Sequence, residues 1–261
     1  MDKKIFLLKQ LSCIIKSMKY IDNNKEEFED SDVNQISNLL LSIPQFRDSL
    51  DIDDIEMIIN KYNIIVKNIW NKYLSDPNLT SDGNFLVHRM RNFIEGPFHS
   101  PNISCSLVTP EHYSIFASKK ELTPEDISIG LIIKPNNIII AQDHDTGTFN
   151  DNDQDPDDMI VAAHNYVILT PQQIMCNVKK QSLKRNGELF NYKNHEFYSE
   201  IVCDDFEVIG VFSRISCNYD KLSDNAKEKY LLTEKYAKNL GLPFLTFNLE
   251  ESRKKVNGKC K

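Results

Sequence analysis

A chain of 261 residues, of which 41% are hydrophobic, can bury a sizeable core, and this excludes a fibrous or an intrinsically disordered protein. The formal net charge of -7 argues against a nucleic-acid-binding protein, because affinity for phosphate requires clustered Lys and Arg. The six cysteines are scattered and form no CxxC pair, which predicts reduced thiols rather than a zinc site or a disulfide framework.

The first 80 residues are predicted to be helical. Apolar side chains recur at helical spacing from Ile5 to Met18 and again within residues 54–73, and no glycine precedes Gly83. We expect residues 1–80 to form a helical region that caps the rest of the chain or docks a partner. The apolar stretch at the start lacks the cleavage site of a standard secretion signal. No window contains the roughly 18 to 20 apolar residues that cross a bilayer, so we expect a soluble protein without a transmembrane segment.

After the helical region the sequence changes to short runs rich in β-branched and aromatic residues, which are typical of strands. Clusters of Pro, Asn and Asp predict turns at residues 134–137 and 204–205. A helix is predicted over residues 223–240, ended by Gly241, and a last short strand over residues 244–247. The other predicted strands are residues 85–87, 103–108, 129–133, 138–141, 166–169, 200–203 and 206–212.

These elements together predict an α+β protein. The helical amino-terminal region precedes one compact, largely β domain of catalytic type over residues 81–250. Residues 251–261 are rich in Lys and Arg, and we expect them to form a basic, flexible tail in solvent.

Three predicted strands each carry one polar element, in a fixed order along the chain. Arg89 follows the first apolar run, Ser104 and Ser106 form a Ser-x-Ser motif, and Glu200 opens the run that ends at Cys203. The two serines are two residues apart in a strand and therefore point to the same face. The order Arg, Ser-x-Ser, Glu resembles the signature of the mono-ADP-ribosyltransferase family.

The resemblance extends over about residues 85–214. Tyr113 and Phe116 lie after Ser106 at the place where the family has a short helix with an aromatic residue near its end, and we expect them to contact NAD. Glu200 is followed by an apolar strand, a tight turn and a second strand, much as in the family. The resemblance implies a mixed, mainly antiparallel split β-sheet of the ADP-ribosyltransferase type, NAD as the cofactor and transfer of ADP-ribose to a protein.

The chemistry of NAD cleavage explains why these residue types are needed together. Breaking the nicotinamide–ribose bond creates an oxocarbenium-like sugar, and the carboxylate of Glu200 is expected to stabilise this charge, which appears only in the transition state. Ser104 is the expected partner that orients Glu200, while Ser106 holds the neighbouring backbone. The planar guanidinium of Arg89 suits the diphosphate of NAD. Arg91 shares the strand face of Arg89 and is the alternative to it.

One position departs from the family pattern. Many members that modify arginine, asparagine or similar side chains carry Glu or Gln two residues before the catalytic Glu, and this chain has Tyr198 there. The type of side chain that is modified therefore stays undetermined. Tyr198 and Glu196 are candidates for contacting the acceptor. The resemblance, together with a composition rich in Asn, Ile and Lys, leads us to expect a bacterial effector. It would be secreted without a standard signal peptide and act on a host protein in the host cytosol.

Two other classes of function stay open. Residues 143–158 are rich in Asp, and oxygen-rich loops can hold calcium or magnesium for a metal-dependent enzyme, although the spacing from Asp151 does not fit an EF-hand. Tyr198, in place of Glu or Gln, also keeps open a non-enzymatic adaptor with a degenerate transferase fold. Among enzymes, an NAD glycohydrolase that uses the same Glu200 is the alternative to a transferase.

Overall fold

Three helices fill most of the amino-terminal region in the computed structural model: α1 (Lys3–Asn23), α2 (Asp30–Leu41) and α3 (Ile52–Ser75). Asp51 caps α3, because its carboxylate accepts a hydrogen bond of 2.8 Å from the backbone N–H of Asp54. The prediction of amino-terminal helices is confirmed. The structure describes residues 3–76, 85–90, 102–108, 123–125, 127–142, 167–184, 199–248 and 250. Within these residues, no helix combines the length and the apolar character that crossing a membrane requires.

Within the described residues, five strands form one mixed sheet: β1 (Phe85–Met90), β2 (Ile103–Val108), β3 (Ile127–Gln142), β4 (Glu200–Ile215) and β5 (Phe244–Asn248). Their order in the sheet is β2-β1-β3-β4-β5. Neighbouring strands are antiparallel except β4 and β5, which are parallel. The expected α+β class, with a mixed and mainly antiparallel sheet, is confirmed. Two further helices lie before and after β4, namely α4 (Pro171–Lys184) and α5 (Asp224–Leu240).

The predicted turns at residues 134–137 and 204–205 are wrong, because β3 and β4 each continue through them as one strand of 16 residues. The turn-forming residues are accommodated by irregularities in the β3–β4 pairing on both sides of Asn137. Pro135 is tolerated because a proline can occupy a bulge. Across the pair, Nδ2 of Asn137 donates a hydrogen bond of 2.6 Å to Oδ1 of Asp204. The long pairing between the two strands therefore outweighs the local preference for a turn.

The length of β4 allows it to pair with β2 and β5 as well as with β3. Its first residues pair with β2, where Ile201 lies opposite Cys105, and its last residues pair with β5, where Phe212 lies opposite Leu245. Because β2 also pairs with β1, strands β1, β3, β4 and β2 form a closed ring of pairings. This ring places the Ser-x-Ser motif of β2 beside Glu200 at the start of β4.

The predicted strand at residues 166–169 is wrong for its described part, residues 167–169, which form a single bridge between Ile168 and Ala141. Helix α4 follows at once, and the sequence analysis does not predict it. Its start is a capping box, since Gln173 N–H donates to Oγ1 of Thr170 at 3.2 Å while Thr170 N–H donates to Oε1 of Gln173 at 3.0 Å. Thr170-x-x-Gln173 is therefore the signal that the sequence offered for this helix.

The predicted helix near the carboxyl end is confirmed. Oγ of Ser223 accepts a hydrogen bond of 3.3 Å from the backbone N–H of Ala226 and so caps α5. Gly241 ends α5 in the left-handed conformation, with φ 67, which glycine adopts without a steric penalty.

The amino-terminal helices pack against one face of the sheet. Buried side chains of α1 and α3 share one core with sheet residues such as Leu131 and Cys203. At the centre of this core, the hydroxyl of Tyr62 lies 2.6 Å from Oγ of Ser17 and 2.8 Å from the backbone oxygen of Ile168, and burial raises the pKa of Tyr62. A smaller apolar cluster lies on the opposite face, formed by Phe85, Val87, Val108, Ile132, Phe212 and Phe247.

Candidate active site

The described polar residues among those predicted from the sequence lie on the face of the sheet that carries the smaller apolar cluster. Ser106 is opposite Val87 in the β1–β2 pairing, and Val87 belongs to that cluster. Residues opposite each other point to the same side of a sheet, and so do residues two apart along a strand. Ser104, Ser106 and Arg89 therefore share this face, and Glu200 joins them through its contact with Ser104.

Ser104 and Glu200 are in direct contact although they are 96 residues apart in the sequence. Oγ of Ser104 donates a hydrogen bond of 2.8 Å to Oε1 of Glu200. Ser104 is exposed and Glu200 is half-buried. Because a charge-assisted hydrogen bond restricts rotation of the carboxylate, the structure presents an oriented carboxylate next to solvent.

The amino-terminal helices do not lie over this pair. Their core includes Cys105 and Ile201, which neighbour Ser104 and Glu200 in the chain and point to the opposite face of the sheet. The described amino-terminal helices therefore lie on the face of the sheet opposite the pair, and their expected roles, as a cap or as a docking site for a partner, both stay predictions.

Arg89 is exposed on β1, where it lies opposite Gly130 of β3. It lines a small cleft with Arg214, which is buried and donates from Nη2 to Oγ of Ser128 at 2.8 Å. The same face of the sheet therefore offers a guanidinium and an oriented carboxylate. Ser128 lines the same cleft, and the remaining described lining residues are apolar, namely Val87, Val108, Phe212 and Phe247.

His88 holds Ser104 from the side of β1, although the sequence analysis did not select it. The β1–β2 pairing stops at Val87 opposite Ser106. Beyond that point, Nδ1 of His88 lies 2.7 Å from the backbone oxygen of Ser104. In the tautomer that carries its proton on Nδ1, the imidazole donates this hydrogen bond. A side chain thus replaces the next backbone contact between the two strands.

We expect His88 to make the stability of the fold depend on pH. Burial lowers the pKa of His88 below its usual value near 6.5, the charge of Arg89 lowers it further, and the bond to Ser104 opposes both. Between the folded and the unfolded pKa, the unfolded chain binds more protons, so the free energy of unfolding falls as the pH drops through about 6.5. Asn at this position can still donate a hydrogen bond but cannot titrate.

His88→Asn should therefore lose less stability than the wild type between about pH 7.5 and pH 5, as measured by urea unfolding at each pH. Carboxylates titrate in both proteins, so the difference between the two curves isolates His88. An identical pH dependence in both proteins would contradict the prediction.

Ser199 is a second residue that the sequence analysis did not select. It is buried, and its Oγ accepts a hydrogen bond of 3.0 Å from the backbone N–H of Leu107. In the sequence, Ser199 is distinguished only by its place directly before Glu200. His88 is likewise distinguished only by its place directly before Arg89. A serine or histidine beside a candidate residue is too common to be singled out without the register of the strands.

Several predicted residues lie outside the described part of the chain. The choice between Arg89 and Arg91 and the identity of the acceptor-side residues therefore stay predictions. Among the residues that are described, no group of three or more His, Cys, Asp or Glu side chains is placed to hold a metal ion. The predicted elements outside the description are Arg91, Tyr113, Phe116, Glu196, Tyr198, the Asp-rich residues 143–158 and the tail 251–261.

Comparison of the chain with protein-family models, with curated proteins and with solved structures gives no match. The resemblance to ADP-ribosyltransferases therefore stays an expectation that depends on the motif residues of the sequence alone. What the structure establishes is the α+β architecture with its five-stranded mixed sheet.

Proposed function

We propose that the protein is an NAD-dependent mono-ADP-ribosyltransferase that acts on a protein of a host cell. The observation that carries this proposal is the hydrogen bond of 2.8 Å between Ser104 and Glu200. These residues are the Ser and the Glu of the Arg, Ser-x-Ser, Glu order, and the fold brings them together from distant parts of the chain. Arg89, the first member of the order, lies on the same face of the sheet.

Glu200 supplies the negative charge that this reaction needs. It stabilises the positive charge that develops on the ribose of NAD while the bond to nicotinamide breaks and its electron pair leaves with nicotinamide. Ser104 holds Oε1 before the substrate binds, so the carboxylate does not have to reorganise during the reaction. An acceptor side chain then bonds to the ribose carbon and releases its proton. If water takes the place of the acceptor, the same residues catalyse NAD hydrolysis.

Two charged side chains of this face fit two different parts of NAD. The guanidinium of Arg89 can donate two parallel hydrogen bonds to the diphosphate, and Glu200 suits the ribose. NAD, when bound, supplies the ADP-ribosyl group and the nicotinamide leaving group. Because the diphosphate and the ribose of NAD need different partners, this division of roles accounts for an arginine and a carboxylate on one face of the sheet.

The direct test is incubation of the purified protein with NAD labelled in its adenylate moiety and a eukaryotic cell lysate. We expect free nicotinamide and label on a discrete protein band, and the labelled band would identify the acceptor. Nicotinamide without labelled protein would favour an NAD glycohydrolase. The absence of both signals across several lysates would contradict the proposal and favour a non-enzymatic adaptor. Secretion and action in the host cytosol belong to the same proposal.

Arg89→Ala should weaken the use of NAD without unfolding the protein, because Arg89 is exposed. A hydrogen bond to a charged group contributes about 1.5–3 kcal/mol, so we expect KM for NAD to rise roughly 10- to 100-fold. The measurement is the initial rate of nicotinamide release over a range of NAD concentrations. Arg47→Ala removes an exposed arginine of the helical region and should leave KM unchanged. Equal KM values for wild type and Arg89→Ala would transfer the role to another residue, with Arg91 the first candidate.

A further inference from the structure

Strand β2 is held by two different neighbours along its two halves. Residues 106–108 pair with β1, and residues 103–105 pair with β4. At the end of each pairing, one side chain makes the next contact with the backbone of β2. His88 makes that contact at Ser104, and Ser199 makes it at Leu107.

The contact of Ser199 continues the register of the β2–β4 pairing. Cys105 lies opposite Ile201, so the same register brings Leu107 opposite Ser199. At this position the hydroxyl of Ser199 accepts the hydrogen bond of the Leu107 N–H at 3.0 Å. Ser199 is only 3% exposed, so water cannot readily replace its hydroxyl. Loss of the hydroxyl would leave a buried N–H without its acceptor, which is unfavourable.

Two hydrogen bonds connect the backbone and side chains of β2 with the start of β4. Ser104 contacts Glu200, the first residue of β4, and Leu107 contacts Ser199, the residue directly before β4. The contact at Ser199 fixes the backbone from which Glu200 projects. A shift of this backbone would move the carboxylate relative to Ser104.

We propose that Ser199 is a positioning residue, which orients Glu200 through its hydrogen bond to the backbone of Leu107. The proposal rests on the proposed function, in which Glu200 is the catalytic carboxylate. Ser199 is buried, so it does not contact NAD itself. Its removal should therefore affect kcat and leave KM for NAD nearly unchanged.

The kinetic test compares Ser199→Ala, Ser199→Thr and the wild type in nicotinamide release. Because small displacements of a reacting group can lower rates by about two orders of magnitude, we expect kcat of Ser199→Ala to fall roughly 10- to 100-fold. KM should stay within about twofold, and Ser199→Thr, which keeps the hydroxyl, should recover most of kcat. A fall in kcat that Thr does not recover, or a change confined to KM, would overturn the proposal.

Ser213→Ala is the matched control. Ser213 is a buried serine within β4, and in the described part of the chain its hydroxyl has no hydrogen-bond partner. Removal of this hydroxyl should leave kcat unchanged. A loss equal to that of Ser199→Ala would mean that any buried serine in or beside β4 has the same effect, and the specific role of Ser199 would be wrong.

A structural test separates this proposal from the proposed function. Crystal structures of the wild type and Ser199→Ala should differ in the contact between Ser104 Oγ and Glu200 Oε1, which is 2.8 Å and should be lost or split over several rotamers in the variant. An unchanged contact would overturn the positioning role whether or not the wild type cleaves NAD. If the contact is lost in Ser199→Ala and the wild type does not cleave NAD, Ser199 is a positioning residue but the protein is not the proposed transferase. If Ser199→Ala does not fold, Ser199→Cys keeps the volume with a weaker acceptor and is analysed in the same way.

Discussion

Glu200→Gln is expected to lower kcat for nicotinamide release by about 10²- to 10³-fold while the protein stays folded. Gln has nearly the shape of Glu and keeps an oxygen that can accept the hydrogen bond from Ser104, so the contact between β2 and β4 survives. The negative charge is lost, and with it the stabilisation of the ribose as nicotinamide leaves. NAD should still bind, because the charge is needed chiefly in the transition state.

The measurement combines single-turnover release of nicotinamide with the melting temperature in the presence and absence of NAD. A ligand that binds only the folded state raises the melting temperature, so binding can be followed even where turnover is lost. Glu207→Gln is the matched control, because it removes an exposed carboxylate from the same strand and should leave kcat unchanged. Full turnover by Glu200→Gln would assign the catalytic carboxylate to another residue.

The outcome for NAD binding distinguishes the remaining alternatives. A protein that binds NAD through Arg89 but neither releases nicotinamide nor labels a protein would fit an adaptor that has kept the binding face of a transferase. A protein whose turnover depends on added calcium or magnesium would instead favour a metal-dependent enzyme that uses residues 143–158. Each alternative therefore predicts a different combination of binding, turnover and metal dependence.

The helices were predictable because their buried apolar residues recur at helical spacing along the sequence. Leu11 and Met18 of α1 are fully buried, and Tyr62 and Trp70 of α3 are as well. The start of α4 was also encoded locally, in the capping box at Thr170, but the apolar run directly before it, residues 166–169, was predicted as a strand. A capping signal can therefore be present in the sequence and still be obscured by a neighbouring run of apolar residues.

The extent of β3 and β4 could not be predicted from local signals. Pro135 and the asparagines that follow it favour a turn in isolation, and so does Asp204-Asp205. In the fold, Pro135 lies opposite Phe206, and the two unfavourable segments are paired with each other as bulges of one long ribbon. The length of the two strands is determined by pairing between residues far apart in the chain. Local propensities carry no information about such pairing.

For the candidate site too, some residues could be expected from the sequence and others could not. The contact of Ser104 with Glu200 could be expected, because the order Arg, Ser-x-Ser, Glu resembles a family signature that implies it. The contributions of His88 and Ser199 could not, since both side chains contact backbone atoms at positions where a strand pairing ends. Where a pairing ends depends on its register, and the register is a property of the assembled sheet.

Gly130→Ala should destabilise the fold by about 3 kcal/mol or more, which is a large effect for the addition of one methyl group. Gly130 lies on β3 between Arg89 of β1 and Phe212 of β4. A Cβ at this position would lie 2.0 Å from the backbone oxygen of His88 and 2.6 Å from Cε1 of Phe212. The first contact involves backbone in a strand pairing, so it cannot be relieved by rotation of a side chain.

Gly210→Ala provides the control for this prediction, because Gly210 lies on the adjacent strand, opposite Ile132. Its added Cβ would lie 3.1 Å from Cδ1 of Ile132, the end of a side chain that can move. The loss of backbone entropy in the unfolded chain favours alanine by about 0.5–1 kcal/mol, so this variant should change stability by about 1 kcal/mol or less. Urea unfolding of both variants measures the difference. Equal stabilities would mean that β1 can separate from β3 at His88 without loss, and the backbone of Arg89 and His88 would then be too loosely held to fix a guanidinium on the face of the Ser104–Glu200 pair.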